Sequence, residues 1–171
     1  MNFLFYQFLM LSLCFRAVSL LPRKINRKSF ILSVKKNQDL LFSSDHTSLI
    51  ITNHDLLIAV DKLSKCKEIA LDLEFDRNSF SYGFNLCFIQ IQSDAPDSHT
   101  YLIDPMSPQI NLTPLYKHVL ENNKIVKVIH SPSEDLRLLQ TLKCYTTNIF
   151  DTGTKLYCTE YVAINRSRVY T

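Results

Sequence analysis

At 171 residues and 46% hydrophobic content, the chain has material for one core of ordinary size and nothing that divides it into two. Its only glycines, Gly83 and Gly153, are far apart, which excludes the Gly-rich phosphate loops of nucleotide and dinucleotide sites, so no nucleotide cofactor is expected. The net charge of +3 is unevenly laid: residues 1–66 carry nine Lys or Arg against four acids, and residues 67–171 carry ten against twelve.

In chain order, Phe3 to Leu21 is strongly apolar but only 19 residues long with Arg16 inside, marginal for a membrane span. Small residues at Ala17-Val18-Ser19 suit a secretory signal, whose usual basic start is missing. The reading adopted is a mistaken or altered start, with no membrane partner and a cytoplasmic location. Arg23, Lys24, Arg27, Lys28, Lys35 and Lys36 follow with no acid among them. Such a run is either a solvated arm or a salt-sensitive attraction for nucleic acid phosphates. Residues 1–47 are therefore expected to be poorly ordered or non-native.

A helix is predicted from Asn53 or Asp55 to Leu63, with Leu56, Leu57, Val60 and Leu63 on one face and Asn53 as cap. Strands follow at Glu68–Phe75, Leu86–Gln92 and Thr100–Asp104, separated by a loop at 76–84 and a polar turn at 93–98. Next come a helix near Thr113–Leu120, a strand at Ile125–Ile129, a helix at Ser131–Leu142 and a short strand at Asn148–Asp151. Strands in a meander and then alternating with helices give an α/β fold, a mixed sheet flanked by helices. The five cysteines, Cys14, Cys66, Cys87, Cys144 and Cys158, have no paired spacing and read as reduced intracellular thiols.

Two of these elements carry acids in places that need a reason. In Ile69-Ala70-Leu71-Asp72-Leu73-Glu74-Phe75 the period of two puts Asp72 and Glu74 on one face of a hydrophobic strand, about 6.7 Å apart along the chain. Unpaired, they would repel each other and resist burial. A divalent cation removes both problems, and hard oxygen ligands suit Mg²⁺ or Mn²⁺. The plainer alternative is a strand that ends in solvent. Ser131-Pro132-Ser133-Glu134 reads as a capping box with Pro at the first helical position. The inward stripe is then Leu138, Leu139 and Leu142, and Asp135 heads that apolar face. An acid there complements the helix dipole, but that does not explain why it shares the leucine face. A metal shared with Asp72 and Glu74 near one edge of the sheet does.

With these motifs in place, residues from about Ser48 to Cys158 resemble the ribonuclease D branch of the DEDD superfamily of 3′→5′ exonucleases, whose fold is ribonuclease H-like. The likeness rests on Ile69 to Phe75, Ser81 to Ile91, Tyr101-Leu102-Ile103-Asp104-Pro105, Lys127 to His130 with Glu134-Asp135-Leu136, and Asn148 to Thr152, in that order. It implies that Asp72 and Glu74 belong to the first exonuclease motif and Asp135 to the second. These residues would be the catalytic and metal-holding acids for a pair of Mg²⁺ or Mn²⁺ ions that bind the terminal phosphodiester of RNA or DNA and release mononucleotides. Phe75, Tyr82 and His130 are expected to contact substrate. Tyr82, like Phe84, can stack on a terminal base or pack under its loop, and His130 can touch phosphate or cap. Gln90 is expected to make a structural hydrogen bond, and Asp151 to cap the turn after its strand.

The family's third motif, an Asp preceded four or five residues earlier by Tyr or His, is not found. The chain runs 20 residues past Asp151; Tyr157 is followed by Tyr161 and Tyr161 by Asn165, and Glu160 has the wrong spacing. The expectation is an exonuclease domain at 48–158, incomplete at its C-terminus, with a divergent tail at 159–171. A catalytically inactive nucleic-acid-binding remnant and a membrane-tethered interaction domain stand as alternatives.

Overall fold

A computed structural model describes residues 47–77, 84–94, 99–154 and 156–160. The elements are β1 (Thr47–Ile50), α1 (Asn53–Leu63), β2 (Glu68–Arg77), β3 (Phe84–Ser93), β4 (Thr100–Ile103), and a short α2 (Thr113–Leu115) that runs into a π-helical turn at Tyr116–Leu120. Then come β5 (Val126–Ile129), α3 (Ser133–Thr141), β6 (Thr147–Asp151) and β7 (Leu156–Glu160). Tyr82, the apolar and basic N-terminal stretches, and Tyr161 to Asn165 lie outside the described residues.

The strands form one mixed sheet in the order β1-β4-β3-β2-β5-β6-β7. β2, β3 and β4 make the antiparallel meander expected from their short polar connections. β5 then joins β2, and β6 joins β5, both in parallel, with α3 as the crossover between them. This is the α/β, ribonuclease H-like arrangement anticipated from the order of elements. β1, parallel to β4, and β7, antiparallel to β6, extend it at the two sides.

One face of the sheet carries the core. Ile69, Leu71 and Leu73 of β2, Ile89 and Ile91 of β3, and Ile103 of β4 are buried in one cluster with Leu56 and Leu63 of α1, Leu115, and Leu136, Leu138 and Leu139 of α3. Each fully buried leucine or isoleucine contributes roughly 1.5–3 kcal/mol. Lys127 of β5 faces this core with 0% exposure. Its Nζ donates to the carbonyls of Asn122 (2.7 Å) and Ile125 (2.8 Å), and burial pulls its pKa down to about 8.

Several local expectations are corrected. The cap of α1 is Thr52, not Asn53: the Thr52 hydroxyl accepts from the Asp55 N–H at 3.2 Å, while Asn53 Oδ1 accepts from Asn111 N at 2.7 Å. Leu57 faces out, 53% exposed. The 76–84 loop is shorter than expected, because β2 and β3 pair as far as Arg77 and Phe84. α3 begins at Ser133 rather than Ser131 and has no side-chain cap, so the capping box does not form. Ser131 takes a left-handed backbone, φ 53°, which a helical residue cannot have. Leu142 is 41% exposed, beyond the last turn of α3, and Leu136 takes its place in the buried stripe.

Candidate metal centre

Asp72 and Glu74 sit on the middle strand of the seven, not near an edge of the sheet as expected. Alternation sends Leu71 and Leu73 into the core and leaves the half-buried Asp72 and Glu74 on the opposite face with Ala70. Across β3 their partners are Gln90 and Phe88. The register shifts immediately after Glu74, where Phe75 pairs with Leu86 and Cys87 is passed over. Bulges of this kind re-aim side chains and cluster beside active sites. No period-two reading could detect it, since the extra residue lies on the partner strand. Phe75, expected at the substrate, is half-buried and packs against the hydrophobic cluster.

The ladder between β2 and β5 stops at Ala70 and Val128, two residues short of Asp72. β2 therefore runs on past the end of β5, and the chain leaving β5 turns beside its acidic stretch. His130 is exposed at this point, its Nδ1 2.9 Å from Thr152 Oγ1. After the turn, the first helical residues of α3 bring Asp135 to 9% exposure, next to the buried Leu136. Asp135 thus heads the apolar face of its helix, as its spacing from Leu138 and Leu139 required.

Burial, followed by the Asp72 carboxylate, pushes the Asp135 carboxyl up to about 7, with smaller contributions in the same direction from Glu134 and Glu74. The three acids found in the sequence are therefore brought within electrostatic reach of one another from two elements distant in the chain. Among the described residues, no three His, Cys, Asp or Glu side chains are grouped closely enough to hold a metal ion. The donor set nonetheless fits a hard divalent cation: all its atoms are carboxylate oxygens, and the repulsion that raises Asp135 is what such a charge relieves. A further oxygen stands nearby on the same face. Gln90, 2% exposed and opposite Asp72, has a side-chain carbonyl oxygen without a hydrogen-bond donor.

Asp151 caps the turn after β6, as expected: Oδ1 accepts from Gly153 N (2.8 Å) and Oδ2 from Thr154 Oγ1 (2.9 Å). No local pattern foretells that Oδ1 also accepts from Ser131 N, at 3.0 Å across twenty residues.

Known proteins share this fold. Over 91 residues the chain is 38% identical to ribonuclease D of Zymomonas mobilis, a match covering 53% of this chain and 22% of that protein. The crystal structure of Escherichia coli RNase D superposes with a TM-score of 0.55 at 30% identity, over 62% of this chain and 27% of that one. The catalytic core of RRP6 from Trypanosoma brucei gives 0.56 at 33% identity, over 66% and 30%. The chain thus spans about a quarter of the length of the relatives it matches. Residues 48–162 match the family model described as 3'-5' exonuclease. With Asp72 and Glu74 on the middle strand and Asp135 at the head of the following crossover helix, the chain belongs to the 3'-5' exonuclease family, in its ribonuclease D-like branch.

Proposed function

We propose that residues 48–158 form a metal-dependent 3′→5′ exonuclease domain that hydrolyses the terminal phosphodiester of a single strand and releases mononucleotides. The observation that supports this reading is the buried Asp135, electrostatically coupled first to Asp72 and also to Glu74, in a chain of this family. A bound pair of Mg²⁺ or Mn²⁺ ions supplies activation of water and neutralisation of the phosphate charge. Asp72, Glu74 and Asp135 are the residues that would hold them. Asp135 must lose its proton to do so, and with its pKa near 7 the site gains its third charge only as the pH rises through neutrality. Escherichia coli RNase D, an exoribonuclease involved in structured RNA processing, is 30% identical over the matched part, which favours RNA over DNA as the strand bound here. His130, exposed beside the corner, and Phe75 and Tyr82 are proposed as contacts to that strand. The scattered free thiols, among them Cys66, Cys87 and Cys144, suit a cytoplasmic setting. Among the described residues no helix is long and apolar enough to cross a membrane.

A noncatalytic nucleic-acid binder is the second reading, favoured by the looseness of the acidic group among the described residues. Calorimetric titration with Mn²⁺ separates the two. The exonuclease reading predicts binding at millimolar or lower concentration that is lost in Asp72→Ala and weakens as the pH falls from 8 to 6. Equal binding by the variant, or none by the native chain, excludes it.

A further inference from the structure

We propose that Asp151 is a positioning residue for Asp135, acting through the left-handed turn at Ser131; this rests on the reading of Asp135 as a metal-holding acid. The chain has to leave β5, reverse, and start α3 within three residues so that Asp135 stands beside the overhanging part of β2. Local sequence chemistry does not make that turn. Ser131 holds φ at 53°, a conformation that costs a non-glycine residue about 1–2 kcal/mol, and α3 starts without a side-chain cap.

The turn is held from β6. Asp151 pairs with Ile129 in the parallel ladder, and its Oδ1 accepts from the Ser131 N–H at 3.0 Å. The same carboxylate is tied down by Gly153 N at 2.8 Å and Thr154 Oγ1 at 2.9 Å, which keep its acceptor edge turned toward Ser131. Thr152 adds a second tie: its N–H donates to Ile129 O at 2.9 Å, and its hydroxyl lies 2.9 Å from His130 Nδ1. Gly153 closes over the turn so tightly that a Cβ there would stand 2.7 Å from Ser131 Oγ. Residues 129–131 are thus gripped by residues 151–153 up to and including the left-handed residue. These donors hold the Asp151 carboxyl below its usual range despite its burial, as expected of a charge-assisted clamp. From Ser131 the chain is stiff: Ser133 N reaches Ser131 O at 3.0 Å and Leu136 N reaches Pro132 O at 2.9 Å, so the orientation of the turn passes directly to Asp135. Partners that orient a metal-holding group in this way typically change metal affinity about 10–100-fold when removed.

The test compares Asp151→Ala with Ile149→Val, a core change of modest cost on the same strand, in the full chain. Amide hydrogen exchange without metal is read first. The clamp predicts exchange at least about tenfold faster at Ser133 and Leu136 in Asp151→Ala than in Ile149→Val, with little change in α1. Mn²⁺ titration is read second, with Asp135→Asn as reference, and predicts roughly tenfold weaker binding in Asp151→Ala but not in Ile149→Val. Unchanged exchange at the head of α3 would overturn the clamp whether or not the chain binds metal. Faster exchange with unaltered Mn²⁺ affinity, in a chain whose binding depends on Asp135, would overturn the positioning role and leave the reading of Asp135 intact. Failure of the native chain to bind Mn²⁺ would instead overturn the proposal together with the reading on which it rests.

Discussion

Burial and the Asp72 charge make Asp135 a costly residue for the metal-free fold at neutral pH and above. The sign follows from linkage. Its folded pKa, near 7, lies above the ordinary value of 3.8, so the folded state binds the proton more tightly and stability is lost as pH rises between those values. Asp135→Asn removes the buried charge and is expected to stabilise the metal-free chain at pH 8 by about 1–3 kcal/mol. At pH 4 little difference is expected, and urea titrations at the two pH values measure both. The same substitution should abolish Mn²⁺ binding, a gain in stability purchased with function. Gly153 is the second informative residue. An alanine Cβ would stand 2.7 Å from Ser131 Oγ and 3.1 Å from Asp151 Oδ1, so Gly153→Ala requires the Ser131 hydroxyl to rotate away and the Asp151 carboxylate to give slightly, and is expected to cost about 1 kcal/mol by urea denaturation.

Among the elements, β2 was the most legible in the sequence. Strict alternation from Ile69 to Phe75 specifies both its core face and its acidic face, because a slip of one residue would bury the carboxylates and expose the leucines. The end of β5 and the start of α3 were misread for a definite reason. Ser131-Pro132-Ser133-Glu134 has the residues of a capping box, but the Ser131 N–H is taken by Asp151, and the backbone bends into a left-handed turn instead. A tertiary hydrogen bond from twenty residues away overrides a local preference worth about 1 kcal/mol. The edge strands β1 and β7 are not foreseen because neither Thr47-Ser48-Leu49-Ile50 nor Leu156-Tyr157-Cys158-Thr159-Glu160 alternates apolar with polar residues, and their pairing with β4 and β6 defines them. α3 itself is anchored by Leu136, Leu138 and Leu139. Leu139→Ala, at a fully buried position, should cost about 2–5 kcal/mol by the same denaturation measurement, whereas Leu142→Ala, at an exposed one, should cost little.

At the scale of the molecule, the sheet order explains how acids sixty residues apart become neighbours. The meander places β2 in the middle, the crossover returns β5 parallel to it with a ladder that stops two residues short of Asp72, and the head of α3 comes within electrostatic reach of that carboxylate. The pairing of a strand acid with a helix acid was legible in the sequence because both sit on faces that composition alone does not explain. The bulge after Glu74 and the β6 clamp were not, because each depends on contacts between strands. The measurement that bears most directly on the exonuclease reading follows a 5′-labelled single strand, RNA and DNA in parallel, incubated with the full chain and Mn²⁺ or Mg²⁺ beside Asp72→Ala. Stepwise shortening from the 3′ end that requires metal and disappears in the variant is the predicted result. A folded, Mn²⁺-binding chain that leaves both strands at full length would contradict it.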